Sequence, residues 1–499
     1  MLLRPRKSDF KIIGYYIGKV IITVGLLMFI PLVVGLLYRE WNACIDFIVG
    51  ATACFLVGYL LVICCRHEAI MSWMHGMVVA SVSWIIAMVV GALPHFLSGH
   101  FGSYLDACFD IMSGCTTTGL YLLQDLDHIS YALNTWRHLL TYVGGQGIIV
   151  IALTFLVRGT GLVKMYVGEA KEEQLLPNVI NTARAIWFIS LTYLFLGSLV
   201  LWIAAMCEGI PMPRAFLHGI WLFMGAWSTG GFAPQSQNLL YYHSLLIEIL
   251  TLIIFVMGSF NFAVHYAIWT GNRREIYRNI ELLSFSTTLI VLFVLVTAGL
   301  MKTGIYSDAT EIFRKGFYIL VSGHTTTGNQ TIYGRQFIEQ WGPPAMLATC
   351  LAMAIGASTC STAGGIKGLR VGIVFKALVQ DIKRVILPES ALVVERIHHI
   401  KEIVLDERII RSAVLITLLY VLSYIFGALV GIYCGYPPFQ ALFDAVSAGS
   451  NTGLSCGVTS PNMPALMKVT YIFQMWAGRM EFVSVFALIG FIVSGVRGK

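Results

Sequence analysis

Long apolar segments alternate with short polar stretches along the whole chain. Ten of these segments are long enough, at about 20 residues, for a helix to cross the hydrocarbon core of a bilayer. They lie near residues 12–37, 46–65, 70–97, 136–157, 184–206, 240–269, 281–300, 341–380, 409–433 and 466–496. The pattern predicts an all-α polytopic membrane protein, because the strands of a membrane barrel are shorter and alternate in polarity.

Four shorter apolar stretches follow a different pattern, since each is too short to span the bilayer and runs directly into a polar Gly/Thr segment. They lie near residues 104–114, 213–227, 308–323 and 437–449. A short helix with a polar return predicts a re-entrant loop. Such a loop is tolerated at membrane depth only where protein or water surrounds it.

The four polar returns resemble one another in sequence. They read CTTTGL, AWSTGG, HTTTGN and GSNTGL, and aligning their Thr-Gly pairs superimposes Gly119, Gly230, Gly328 and Gly453. An aromatic residue precedes each glycine by about ten positions, namely Phe109, Trp221, Phe317 and Phe443. A second glycine follows in the next long apolar segment, namely Gly144, Gly258, Gly356 and Gly478. Tight helix packing would explain single glycines, but the common register predicts an internal fourfold repeat.

Each predicted repeat consists of an outer helix, a short pore helix, a polar filter loop and an inner helix around one shared pore. The repeats are expected over residues 69–158, 184–272, 280–380 and 408–499. Two extra transmembrane helices precede them in residues 1–68, and cytoplasmic linkers are expected at 159–183 and 381–407.

Composition and charge agree with this assignment and orient the chain. Only 12% of the residues are charged and 57% are hydrophobic, whereas soluble domains carry about 25% charge. With the N-terminus in the cytoplasm, 21 of the 33 Lys and Arg residues fall on the cytoplasmic side and 8 on the other. This bias follows the positive-inside rule, places the four loops outside the cell, and explains the net charge of +7 without nucleic acid.

The 11 cysteines include no CxxC pair and no metal-ligand spacing. Several lie inside apolar runs, among them Cys54, Cys64 and Cys65. We therefore expect buried free thiols rather than disulfides.

Four Thr-Gly loops around one axis could bind a cation. Glycine allows a loop to point successive carbonyls in one direction, and rings of carbonyl oxygens can replace the hydration shell of a potassium-sized ion. The short helices would turn their negative ends toward the same point. The predicted ion-binding residues are Thr117, Thr118, Gly119, Ser228, Thr229, Gly230, Thr326, Thr327, Gly328, Asn451, Thr452 and Gly453. The alternative is four ordinary extracellular turns.

The third inner segment contains a run of small and polar residues, IGASTCSTAGGIKGLR. Such a run does not favour a continuous apolar helix, and Gly-Gly invites a break. We interpret it as an intramembrane loop that blocks or opens the path, although close helix packing could also explain it. The candidate gate residues are Gly356, Ser358, Thr359, Ser361, Thr362, Gly364, Gly365 and Lys367. Lys367 either adds positive charge to this gate or extends toward the cytoplasm.

Arg479 lies deep in the last apolar segment. An intramembrane arginine is costly and usually faces a partner or a water-filled cavity. Glu481 is two positions away and therefore on another face of the helix. Two interpretations stay open: Arg479 forms an ion pair with a neighbouring helix, or it is a charge below the filter that belongs to the gate.

These motifs resemble those of the potassium-uptake superfamily that includes TrkH, TrkG, KtrB and the plant HKT transporters. The resemblance covers nearly the whole chain through SGCTTTGL, WRHLLTYVGGQGI, WSTGGFAP, SGHTTTGN, STAGGIKGLRV and SNTGL, and the front helix pair favours the TrkH/TrkG branch. It implies that the four aligned glycines are filter glycines, that K⁺ is the transported ion, and that Gly119 favours potassium over sodium. It also implies gating by the third inner segment, a homodimer in the cell membrane and a cytosolic nucleotide-binding partner of the TrkA type.

Other functions remain as alternatives. A sodium-permeable or sodium-coupled relative is possible because the second and fourth loops depart from Thr-Thr-Thr, and symport is not separated from passive flux. A subunit of a rotary ATPase assembly also stays open. An intramembrane enzyme lacks support, since HExxH and a nucleophile–base pair are missing; P-loop and GxGxxG motifs are missing too. His398 and His399 are expected to be solvated loop residues, with a metal-binding or pH-sensing role as the alternative.

Overall fold

The computed structural model describes residues 4–67, 71–123, 125–147, 150, 179–306, 308–388, 391 and 393–498. Within these residues the chain is mainly helical, with long loops and one two-stranded hairpin. Six helices, counting Lys7–Tyr38 as one, are long and apolar enough to cross a membrane, and two further pairs of helices each form a bent segment of that kind. The all-α membrane fold is therefore confirmed.

The first helices form the predicted front pair. They run over Lys7–Leu27, Phe29–Tyr38 and Trp41–Cys64, with a slight break at Met28. Gly18 and Gly58 face each other where the helices cross, and a methyl group on Gly18 would lie 2.8 Å from the carbonyl oxygen of Gly58. Small residues at this crossing allow the two backbones to approach closely.

Four outer helices begin the repeats. They extend over Trp73–Leu97, Val179–Cys207, Ile280–Thr303 and Glu407–Tyr433. Three of them begin at a side-chain cap: Ser72, Asn279 and Asp406 each accept a hydrogen bond from a backbone N–H of the first turn. Such caps satisfy donors that a helix start leaves unpaired.

The four short helices lie where the sequence predicted them. They cover Tyr104–Cys115, Met212–Trp227 and Pro438–Gly449 in repeats one, two and four. In repeat three the corresponding helix is composite, with Ala309–Glu311, a π-helical segment Ile312–Phe317 and Tyr318–His324. A 3₁₀ turn at Asn238–Tyr242 and a short helix at Gly334–Gln340 lie in the returning segments of repeats two and three.

The inner helices are interrupted more often than predicted. The third breaks as expected, into Gly342–Ile355 and Gly368–Ile386. However, Leu245–Gly258 is followed by Phe262–Trp269 at 97°, and Ala465–Arg479 by Val483–Arg497 at 111°. The prediction of continuous helices over 240–269 and 466–496 was therefore wrong. The first inner helix spans Tyr131–Gln146, and the rest of its predicted segment lies largely outside the described residues.

The linker before the fourth outer helix contains an antiparallel hairpin, with β1 at Arg396–His399 and β2 at Lys401–Val404. The hairpin packs through Ile397 against Ile280, Ile373 and Ala413. A short helix, Glu275–Arg278, lies just before the third outer helix. The expectation of solvated loop histidines was wrong, because His399 is buried in β1 and His398 contacts carboxylates on both sides.

All 11 cysteines are free thiols in the structure, as expected. Burial was only partly predicted. Cys54 is buried, but Cys64 is exposed at the end of an apolar helix and Cys65 is half-buried. Apolar sequence does not distinguish a core-facing from a lipid-facing position.

Candidate ion-conduction site

The ends of the four short helices share one backbone pattern, which defines equivalent positions in the repeats. Each helix ends with a hydrogen bond of 2.8–2.9 Å from a backbone N–H to the carbonyl five residues earlier. The donors are Thr118, Gly230, Thr327 and Thr452. Gly230 is thus the counterpart of the threonines, and not of the glycines with which sequence alignment paired it.

The residue before each donor adopts a left-handed conformation. These residues are Thr117, Thr229, Thr326 and Asn451, with φ of 56°, 48°, 55° and 57°. The residue after each donor is a glycine with positive φ, namely Gly119, Gly231, Gly328 and Gly453. Gly231, rather than Gly230, therefore occupies the glycine position of repeat two. The alignment of Thr-Gly pairs was shifted by one residue in that repeat.

The four loops contact one another in a closed ring. A methyl group on Gly119 would lie 2.6 Å from the carbonyl oxygen of Gly230 in the next repeat. Methyl groups on the other three glycines would collide with carbonyl oxygens: Gly231 with Thr327, Gly328 with Thr452, and Gly453 with Thr118. The fourth loop thus closes on the first, and only glycine combines the positive φ with so close an approach.

Hydroxyl pairs stiffen three of the four loops. Thr116 bonds Thr118 at 2.8 Å, Thr325 bonds Thr327 at 2.8 Å, and Ser450 bonds Thr452 at 2.7 Å. Repeat two lacks such a pair because Gly230 stands at the threonine position. A side chain there would collide with the methyl group of Thr141 from the first inner helix.

Buried anchors hold the short helices at the ring. The residues ten positions before the ring glycines are Phe109, Trp221, Tyr318 and Phe443, all at most 2% exposed. Tyr318 therefore replaces the predicted Phe317. Glycines of three inner helices then contact carbonyls at the short-helix ends, pairing Gly144 with Cys115, Gly258 with Trp227 and Gly478 with Gly449. Gly356 differs, since it contacts Gly364 of its own loop.

Residues 356–367 form a non-helical loop directly on the inner-helix side of the ring. Its Thr362 carbonyl accepts from Thr117 at 3.4 Å, and its Thr362 hydroxyl lies 3.1 Å from that of Thr229. The N–H of Gly364 donates to Thr326 at 2.7 Å. A methyl group on Gly364 would also lie 3.0 Å from the Cβ of Asn451. The loop therefore contacts all four left-handed residues at once.

The other predicted gate residues brace this loop. Gly356 and Gly365 have φ of 70° and 77°, so they permit the turns that begin and end it. The N–H of Ser358 donates to Ser259 at 3.2 Å, and the Ser361 hydroxyl donates to Ser358 at 2.6 Å. Lys367 is 5% exposed and donates to the carbonyl of Ala363. Its predicted alternative, extension toward the cytoplasm, is wrong.

Arg479 bonds three separate segments beneath the ring. Its guanidinium donates to the carbonyls of Gly144 and Gly145 at 2.6 and 2.9 Å and to that of Thr362 at 2.7 Å. It also reaches the hydroxyl of Thr117 at 3.4 Å. The guanidinium thus joins the first inner helix, the intramembrane loop and the first filter loop.

Two further groups near the loop were missed by sequence reasoning. Arg370 and Glu481 form an ion pair between the third and fourth repeats. Glu281, at the start of the third outer helix, accepts two hydrogen bonds from Thr359. The only signal in the sequence was an ionisable residue near the end of an apolar segment.

Fold and site together define a membrane protein with four pseudo-repeats around a ring of re-entrant loops, closed on one side by an intramembrane loop. The family model of the cation transport protein TrkH matches residues 45–493. The chain belongs to this family of cation transporters.

Characterised and uncharacterised relatives match over nearly their full length. An uncharacterized cation transporter of Methanocaldococcus jannaschii is 30% identical, with 98% of this chain and 97% of that protein covered. The Trk system potassium uptake protein TrkH of Salmonella typhimurium is 28% identical, with 95% and 96% covered. The crystal structure of the potassium transporter TrkH from Vibrio parahaemolyticus has a TM-score of 0.82 at 23% identity, covering 96% and 98%.

Proposed function

We propose that this chain carries K⁺ into the cell through the ring of four filter loops, with residues 356–367 as an intramembrane gate. The closed ring carries this proposal. Four loops, each entered by the negative end of a short helix, contact one another through four backbone carbonyls and four glycines. Carbonyl rings of this kind replace the water of a potassium ion.

The names of the relatives favour potassium as the ion, since several are potassium uptake proteins. The filter residues proposed from sequence stay in the proposal, except that Gly230 moves to the threonine position and Gly231 is added at the glycine position of repeat two. Thr118, Gly230, Thr327 and Thr452 contribute the carbonyls that contact the ring glycines. K⁺ is the cargo of this site and not a resident cofactor.

The gate is proposed from contacts beneath the ring. The loop contacts one left-handed residue of every repeat, and Arg479 adds a positive charge beside it. A cation leaving the ring would meet this charge and the loop backbone. Movement of the loop is therefore required for ions to pass.

The orientation, assembly and partner are parts of the same proposal. We place the chain in the cytoplasmic membrane. The bias of basic residues supports an N-terminus on the cytoplasmic side of that membrane. A homodimer is proposed from the resemblance to the TrkH/TrkG branch alone. Relatives named for a Trk system support a cytosolic TrkA-type regulatory subunit, for which the hairpin 396–404 offers a surface.

Ion uptake into liposomes tests the function. The purified full-length chain should take up ⁸⁶Rb⁺ as a potassium tracer, and unlabelled K⁺ should compete more strongly than Na⁺. Equal competition would favour a sodium-permeable transporter. The missing hydroxyl pair in repeat two would then be a structural reason for weak selectivity. Absence of flux for both ions, with or without cytosolic extract, would contradict the transport proposal.

A further inference from the structure

The third outer helix begins with a carboxylate that binds the intramembrane loop. Glu281 is 1% exposed. Its Oε1 accepts from the backbone N–H of Thr359 at 2.7 Å and from the Thr359 hydroxyl at 2.7 Å. Hydrogen bonds to an ionised carboxylate are about twice as strong as neutral ones. The loop is therefore attached to the outer helix by two strong bonds at a single residue.

The same carboxylate lies against the cytoplasmic hairpin. Glu281 Oε2 is 3.9 Å from Nδ1 of His399 in β1. Asn279 caps the helix by accepting from the Glu281 N–H at 2.9 Å, and its Oδ1 lies 3.4 Å from the same His399 nitrogen. A shift of β1 would thus displace both the cap and the carboxylate.

The hairpin is held in place by a second carboxylate. Glu275 accepts from the N–H of Ile400 at 3.0 Å and from Asn279 at 3.1 Å, and it lies 3.1 Å from His398 Nε2. Glu275 therefore connects the hairpin to the start of the third outer helix, and Glu281 connects that helix start to the gate loop.

The loop also has space into which it could move. A cavity of about 800 Å³ lies between the loop, the hairpin and the start of the fourth outer helix. Thr359 and Cys360 line it from the loop, and His399 lines it from the hairpin. Loop residues that lose their bonds to Glu281 are thus already beside an open volume.

We propose that Glu281 is the positioning residue that holds the intramembrane loop closed, and that the hairpin 396–404 acts on the loop through it. This inference rests on the proposed transport function for its direction of effect. When a bound partner displaces the hairpin, His399 and Asn279 move with it. The Glu281 carboxylate is then withdrawn from Thr359, and the loop is free to move into the cavity.

Basal ion flux in liposomes without any partner protein is the first test. Glu281→Ala should raise flux per folded molecule by at least about tenfold, the factor expected for the loss of even one of its two hydrogen bonds. Glu281→Gln keeps an acceptor oxygen and should restore most of the closure. Thr359→Val should also raise flux. Combining it with Glu281→Ala should add little, because both changes act on the same contact between Thr359 and Glu281.

A matched carboxylate elsewhere controls for stability. Glu40 also accepts two hydrogen bonds, here both from backbone N–H groups, of Tyr131 at 2.7 Å and Ala132 at 2.9 Å, and none of these residues belongs to the loop. Glu40→Ala should lower thermal stability without changing flux per folded molecule. If Glu281→Ala does only the same, or if the Glu281 and Thr359 effects add, Glu281 is merely structural and the proposal is wrong.

A readout that does not depend on the ion separates this inference from the transport proposal. In a chain that keeps Cys360 as its only thiol, Glu281→Ala should speed maleimide labelling from the hairpin side by about tenfold, as it does flux, and His399→Ala should speed it by a smaller factor. Unchanged labelling in both would overturn the proposal even if potassium uptake is observed. Faster labelling without flux would keep the positioning role and reject the transport function.

Discussion

The filter ring and the intramembrane loop are both non-helical backbone at membrane depth, but they are held in different ways. Each ring glycine is fixed by the backbone of the next repeat, so the four loops support one another. The loop at 356–367 belongs to one repeat. It has backbone bonds to the second inner helix, such as that from Ser358 to Ser259, but side chains make its contacts with Arg479, Thr326 and Glu281. The ring therefore depends on contacts among all four repeats, whereas part of the loop's attachment depends on single side chains that can be substituted one at a time.

The inner helices show the same contrast within one element. In repeats two and four the helix bends and resumes after three residues. In repeat three, twelve residues separate the two halves. The fourfold arrangement is thus kept at the ring, and the longer interruption in repeat three forms the segment proposed as the gate. Changes in the ring should abolish flux, and changes in the loop should increase it.

The largest effect is expected at Gly231. Gly231→Ala should reduce uptake by about a hundredfold, because an alanine is strained at this positive φ and its methyl would collide with a backbone carbonyl. Rubidium uptake normalised to folded protein measures the effect.

A neighbouring glycine provides the control. Gly230→Ala alone should also reduce uptake, but the atom that it meets is the methyl group of Thr141. Adding Thr141→Ser, which removes this methyl and keeps the hydroxyl, should restore uptake. Thr141→Ser should not rescue Gly231→Ala. If it rescues Gly231→Ala and not Gly230→Ala, then Gly230 is the filter glycine of repeat two, as the Thr-Gly alignment predicted.

Changes in the intramembrane loop should raise ion flux, whereas the changes in the ring lower it. Deleting residues 357–365 should raise basal flux at least tenfold and remove control by a cytosolic partner, because it removes the contacts beneath the ring. Flux and fluorescence-detected size exclusion should be measured on the same preparation. A monodisperse deletion variant with wild-type flux would locate the gate elsewhere.

A smaller increase is expected from Arg479→Gln. The variant loses the positive charge beneath the ring but keeps an amide donor for Thr362 or Gly144, so flux should rise by about five- to tenfold with reduced selectivity. The nearby Glu481 serves as a contrast, since Glu481→Gln leaves Arg370 without its ion-pair partner. That change should cost ~3–5 kcal/mol of stability, seen as a lower Tm, with no comparable gain in flux per folded molecule.

The smallest effect concerns pH at the hairpin. Burial acts to raise the pKa of Glu275, but its hydrogen bonds with His398 and Ile400 outweigh burial and lower the pKa below the ordinary value of 4.5. The contribution of this carboxylate is thus fully present above pH 4.5 and is lost as pH falls through the lowered pKa. After correction for intrinsic rates, hydrogen exchange of residues 396–404 should be faster near pH 3 than at pH 5. Glu275→Gln should remove that step.

The sequence by itself determined the membrane fold, the four short helices and the place of the ring. Apolar length and recurring Thr-Gly pairs are local properties, so they can be seen without a structure. The small-residue run in the third inner segment likewise predicted a loop, and the structure has a non-helical segment at 356–367.

Only the tertiary structure decided how the second filter loop aligns with the other three and which residues support the ring. The second loop reads Ser-Thr-Gly-Gly, and either glycine fits the motif; contact with Thr327 selects Gly231, and Thr141 excludes a side chain at Gly230. The bends after Gly258 and Gly478 have no proline to mark them, because each arises where an inner helix meets a short-helix carbonyl. Partners that lie more than a hundred residues apart, such as Arg370 and Glu481, come together only in the folded chain.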